Sequence, residues 1–229
     1  MEKPTKKYFF INRKERWGLS TWGWLFVLVV ILLPSFLLFQ NAYSILAPVQ
    51  REKTDLLVLE GFVSDYLMEE AIKEFNTGKY TLLITTGTPL ELGHLLVAYN
   101  NTALLAAATL KKMGFDSTKL VSVATENIQN DRTYNSALEL KGWLRKNRPE
   151  THAINLMTMS VHGARSQQLF QFALGDSVKV GIISLRNFYY GPDTWWKSSK
   201  GFREVMNEIF GYFYVKMFFR PYEISGQKK

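Results

Sequence analysis

The sequence predicts an α/β domain built on a mainly parallel sheet and preceded by one N-terminal transmembrane helix, and three observations carry that prediction. Thirty-three consecutive residues, Gly18 to Gln50, hold no charge. Beyond Arg51, short apolar runs rich in β-formers alternate with longer stretches of helical spacing or composition. The chain of 229 residues contains no cysteine, so neither disulfides nor thiolate metal sites organise the fold.

Residues 21–40, inside the uncharged run, supply the roughly 20 apolar residues, at about 1.5 Å rise each, that a hydrocarbon core of about 30 Å requires. They read as a membrane anchor. Lys3, Lys6, Lys7, Arg13, Lys14 and Arg16 precede it against Glu2 and Glu15, and positive flanks stay in the cytoplasm. The rest of the chain is then expected outside. A cleaved signal peptide is the alternative, with Ile45-Leu46-Ala47 as a passable cleavage tail, but its apolar core normally spans about 7 to 15 residues. Trp17, Trp22 and Trp24 cluster at one end as interfacial anchors do, which favours retention. Pro34 removes one backbone donor and predicts at most a kink. The organisation expected is a basic tail over 1–20, an anchor over 21–40, a linker over 41–53 and an α/β domain over 54–229, a length that carries one core.

The formal charge of +8 divides evenly between the first 20 residues and the remainder. No basic stripe with interleaved aromatics occurs, which argues against nucleic acid. A modest positive excess on a tethered domain suits a membrane surface or an anionic ligand.

In chain order, strands are expected over 55–59 (DLLVL), 80–86 (YTLLITT), 120–124 (LVSVA), 153–159 (AINLMTM) and 178–184 (VKVGIIS). Helices are expected over 65–77, 92–113, 131–146 and 163–174. Tyr134, Ala137, Leu138 and Leu144 mark the buried stripe of the third. Strand alternating with helix implies right-handed crossovers and helices on both faces, a three-layer, Rossmann-like arrangement. Ligands then bind beyond the carboxyl ends of the strands. Four loops follow as the search area: 60–65, 87–91, 125–135 and 160–165.

In the last of these, Ser160 is expected to cap the helix that follows, with His162 and Arg165 projecting from one side of its first turn. Arginine offers a planar fork to phosphate, and histidine exchanges a proton near neutral pH. A capped helix with a solvated Arg and a satisfied His is the plainer reading of that segment. Asp131 is expected as a second cap, with Arg132, Thr133 and Asn135 in its first turn, again at an anion-ready helix start. Glu60 stands as base or metal ligand, and Gly61 would let a ligand approach the backbone closely. Asp65 is read as the next helix's cap. Gly87 makes a small-residue turn with Thr85, Thr86 and Thr88. Dinucleotide, P-loop and hydrolase-elbow motifs are absent, and His94, His152 and His162 fall in separate contexts, so no metal site is assigned and no cofactor is named.

The first strand ending in a Gly-containing turn, Thr133-Tyr134-Asn135-Ser136-Ala137 ahead of a central helix and His162-x-x-Arg165 at a strand end, behind an N-terminal anchor, resemble the YdcF-like family of SanA/ElyC-type envelope proteins, a domain of unknown function. The resemblance spans roughly 55–210. It implies a Rossmann-like fold on the bacterial inner membrane, a role in cell-envelope biogenesis, and a polar site at Gly61, Arg132, Thr133, Asn135, His162 and Arg165. Glu60 interrupts the glycine-rich turn usual in the family, and Thr158-Met159-Ser160 stands where a single Thr or Ser often precedes the histidine.

Residues 202–219 read as a final core helix, with leaning on the membrane as the alternative and Glu208 as an outlying candidate for the pocket. Two functions follow from these residues. One is a phosphate-ester hydrolase or transferase acting on an envelope precursor, lipid-linked ones included. The other is a non-catalytic binding or regulatory module using the same anion pocket.

Overall fold

The computed structural model describes residues 19–90, 98–126 and 130–222. They fall into two compact units, 1–40 and 41–229. In the first, helix α1 (Thr21–Leu46) begins; it is long and apolar enough to cross a membrane. Pro34 lies within it without ending it. The Ser35 hydroxyl donates to the Ile31 carbonyl at 2.8 Å, so that polar group is satisfied inside the helix, as a span in lipid requires.

The second unit starts with the last turns of α1 rather than with a linker. Ala42, Tyr43 and Leu46 are buried in a cluster with Val161, Tyr190, Trp195 and Val205, and strand β1 (Val49–Gln50) pairs antiparallel with β6 (Lys179–Leu185). The stretch expected as a connector is therefore part of the domain, because its own apolar residues find a core to enter. Strands β2 (Leu56–Glu60), β3 (Leu82–Gly87), β4 (Leu120–Ala124) and β5 (Ala153–Met159) complete a six-stranded sheet of order β1-β6-β5-β2-β3-β4, parallel except for β1. All five predicted strands are present, with ends shifted by at most two residues.

Helices α2 (Asp65–Thr77), α3 (Thr102–Lys112), α4 (Arg132–Asn147), α5 (Gly163–Leu174) and α6 (Ser199–Met217) accompany the sheet. Every residue of β2 is buried. Leu56 and Val58 enter one apolar cluster with α4 and α5, while Leu57 and Leu59 enter another with α2 and α3. That period of two, apolar in both directions, is why a central parallel strand reads as one unbroken hydrophobic run.

Three helix expectations need correction. Ser64, not Asp65, holds the cap position of α2. The helix expected over 92–113 begins only at Thr102; residues 92–97 lie outside the described residues, and 98–101 are not helical. Asn101 explains the late start: its Oδ1 accepts from the Ala103 amide and its Nδ2 donates to the Thr125 carbonyl, both at 2.9 Å. A good cap outweighs helical composition upstream. Lastly, α6 is not a core helix. Only Gly201, Val205 and Val215 are buried in it, and Phe210, Phe213, Tyr214 and Met217 are each more than half exposed.

From β2 the chain builds outward through β3 to β4, then returns to the other side of β2 for β5 and β6. The direction of building thus reverses between β2 and β5, where a crevice opens at the carboxyl edge.

Candidate active site

At that reversal the loops surround a cavity of about 640 Å³. Glu60, Gly87, Arg132, Thr133, His162 and Arg165 line it; Gly61, Asn135 and Ser160 do not. Thr86 and Thr88 of the small-residue turn also contribute to it, as do Phe62 and Tyr214, which the sequence alone does not single out.

The centre of the arrangement is an acid, a cation and an imidazole. Beyond β5 the chain makes a 3₁₀ turn (Ser160–His162) before α5, which delivers His162 and Arg165 to α6. Glu208 receives Arg165 through Nε at 2.7 Å and Nη2 at 3.0 Å, and its Oε1 lies 2.8 Å from His162 Nδ1. Gly211, one turn along α6, leaves the room this needs: a Cβ there would sit 3.0 Å from Arg165 Cδ. All three side chains are mostly buried.

Burial pushes the Glu208 carboxyl up, but hydrogen bonds and charge from His162 and Arg165 prevail and hold it down at about 2. Burial likewise works against the Arg165 charge, yet its bond to Glu208 and the nearby carboxylates of Glu208 and Glu60 raise its pKa above the ordinary guanidinium value. A carboxylate only accepts, so Nδ1 carries the proton it donates to Oε1. Arg165 Nη2 is also 2.9 Å from Nδ1, but a guanidinium cannot accept that proton, and the charge-assisted contact with Glu208 determines the tautomer. In the neutral ring the lone pair then sits on Nε2. That atom is buried and has no hydrogen-bond partner among the described residues. Phe62 stands edge-on to the imidazole, with ring centroids 5.1 Å apart.

Arg132, the first residue of α4, lines the same cavity. Its Nε donates to Thr88 Oγ1 at 2.7 Å and its Nη2 to the Pro89 carbonyl at 3.3 Å. Glu60, 4% exposed, accepts from Ser166 at 2.8 Å, placing a carboxylate on the cavity wall.

Several expectations change here. Ser160 caps nothing: its backbone is left-handed at φ 48°, and its hydroxyl donates to Tyr43 at 3.0 Å. Asp131 occupies the cap position of α4, but at φ 49° it makes no side-chain cap bond and accepts instead from the Tyr222 hydroxyl at 3.2 Å. Asn135 braces that loop, donating to the Asn130 carbonyl at 2.9 Å. Gly61 and Gly87 let their strand ends press on the start of α3, where added Cβ atoms would meet Thr102 at 2.5 and 2.1 Å; the close approach is by protein, not ligand. Arg165 has two of its three nitrogens committed to Glu208, leaving Nη1 without a hydrogen bond among the described residues. It is chiefly the partner that fixes Glu208 and, through it, His162. Among the described residues no group of three His, Asp or Glu side chains could hold a metal ion.

Glu208 is the residue whose importance sequence reasoning underrated. The available signal was that Glu208, one of two acids in a helix rich in apolar residues, stands three positions before a glycine. No protein-family model, curated protein or solved structure matches the chain significantly.

Proposed function

We propose that this is a single-pass protein of the bacterial plasma membrane, N-terminus cytoplasmic, whose extracytoplasmic three-layer, Rossmann-like domain of YdcF-like kind acts on phosphate-bearing precursors of the cell envelope, lipid-linked ones included. The observation that supports the catalytic reading is His162 Nε2, a buried nitrogen, unpartnered among the described residues, on a residue of the cavity wall, with its ring held by Glu208. An imidazole so held is arranged to take a proton from an incoming hydroxyl or water.

In that reading, Nε2 accepts the proton as the water oxygen bonds to phosphorus, the ester P–O bond breaks, and the imidazolium returns the proton to the departing oxygen. Arg132 neutralises charge on the phosphoryl oxygens. No redox partner is required.

The second reading, a binding or regulatory module without turnover, is favoured by one observation. The Arg165 fork is taken by Glu208, and Glu60 adds a carboxylate to the same wall, so the cavity offers a phosphate less positive charge than two arginines promise. Release of inorganic phosphate by the purified full chain, tested on polyprenyl phosphate and on simple phosphate esters, separates the two. Catalysis predicts release that His162→Ala lowers by about 10²-fold or more with affinity nearly unchanged. No release from any ester, together with full complementation of a deletion strain by His162→Ala, ends the catalytic reading.

A further inference from the structure

We propose that the turn and helix start following β6 form a bilayer-contact patch, in which Phe188, Tyr189, Trp196 and Phe202, with Lys197 and Lys200, sit in the anionic headgroup layer and hold the carboxyl edge of the sheet against the membrane. The inference rests on α1 spanning the bilayer. Twenty residues from Thr21 fill a hydrocarbon core of about 30 Å, so its boundary falls near Gln40. Tyr43 is three residues further along the chain, so connectivity alone keeps it within about 11 Å of that boundary, at or near headgroup depth. It is also buried in the domain: its ring centroid is 6.1 Å from that of Tyr190, and it shares a cluster with Trp195. The segment carrying Tyr190 and Trp195 is therefore held at headgroup depth by its own packing.

What that segment turns outward fits the location. Phe188 is 77% and Tyr189 70% exposed, with Trp196 and Phe202 also exposed. These rings are not loose, since Trp195 is fully buried and packs on both Trp196 and Phe202, while Phe188 meets Tyr189 edge-on. Lys200 stands 3.9 Å over the Tyr189 ring. Amphipathic rings interleaved with lysines are the composition of interfacial belts, and the cations complement acidic lipid. Asp193 is the one exposed acid in the segment; Glu204 is occupied by Tyr190 and Asn187 and lies 3.9 Å from Lys200, so Lys197, unpaired among the described residues, carries the charge toward lipid.

The absence of native cysteine permits a clean test with nitroxide labels on Phe188→Cys, Glu150→Cys and Val30→Cys, each in the full chain reconstituted into vesicles of phosphatidylethanolamine and phosphatidylglycerol. Glu150 precedes the amino end of β5, at the opposite edge of the sheet, and Val30 lies mid-anchor. The Phe188 label should be shielded several-fold from a water-soluble nickel complex relative to the Glu150 label while remaining open to oxygen. Equal nickel access at Phe188 and Glu150, with Val30 reporting hydrocarbon, overturns the patch and leaves the anchor standing. Aqueous access at Val30 removes both. Broadening between Phe188 labels that grows with protein-to-lipid ratio assigns the patch to a second copy of the chain and overturns the lipid contact.

Discussion

Glu208 Oε1 and His162 Nδ1 lie 2.8 Å apart although the residues are separated by 46 positions, and this contact decides which imidazole nitrogen carries the proton. A residue on α6 thereby sets the chemistry of a residue at the end of β5.

Glu208→Gln should reverse that choice. The glutamine oxygen can still accept from Arg165, which leaves its amide N–H toward Nδ1 and moves the imidazole proton to Nε2. Any turnover should fall by about 10²-fold, while nitrogen NMR of labelled histidine reports the tautomer switch. The variant should also unfold more easily, because Arg165 becomes a buried cation without its carboxylate. An unchanged tautomer would detach Glu208 from the proposed role.

Stability should fall steeply in acid. The Glu208 carboxyl is depressed in the folded state, from an ordinary value near 4.5 to about 2. Its contribution is therefore fully present above about pH 4.5 and is lost as pH falls through about 2, on the order of 3 kcal/mol in total. Denaturant titrations of wild type and Glu208→Gln at pH 6 and pH 2.5 should converge toward the lower value.

Arg132→Lys should weaken binding of inorganic phosphate by roughly tenfold, since an ammonium replaces a fork held by Thr88 and the Pro89 carbonyl. Calorimetric titration of both proteins checks this. Equal affinities would move the anion contact elsewhere in the cavity.

Leu46→Ala should destabilise the domain by about 2–4 kcal/mol, as a fully packed leucine does, and a chain begun at Lys53 should lose more, with Tyr43 and Ala42 gone as well. Thermal unfolding of the second unit, begun at Asn41 or at Lys53, measures the difference.

The sheet was legible because its strands are apolar on both faces and need no context to be seen. The long apolar helix was legible from length and composition alone. Loop chemistry was less so. Ser160 and Asp131 have the composition of caps, but a cap is defined by backbone angle, and their left-handed turns are imposed by contacts with Tyr43 and Tyr222, distant in sequence. Arg165 looked like a free fork because its partner lies 43 positions away. The stretch 41–53 reads as a connector for a similar reason: a short apolar stripe after a long apolar helix has no visible destination until Val161 and Tyr190 are placed beside it.

Tyr222 donates to Asp131 and accepts from Asn135, and its carbonyl receives the Tyr134 hydroxyl. The segment holding Arg132 thus waits for a residue synthesised 91 positions later, just as the turn before His162 depends on Tyr43, made 117 positions before Ser160. During translation the wall holding Arg132 cannot settle until Tyr222 has emerged, so a product interrupted before that residue carries strands and helices but leaves this wall unbraced.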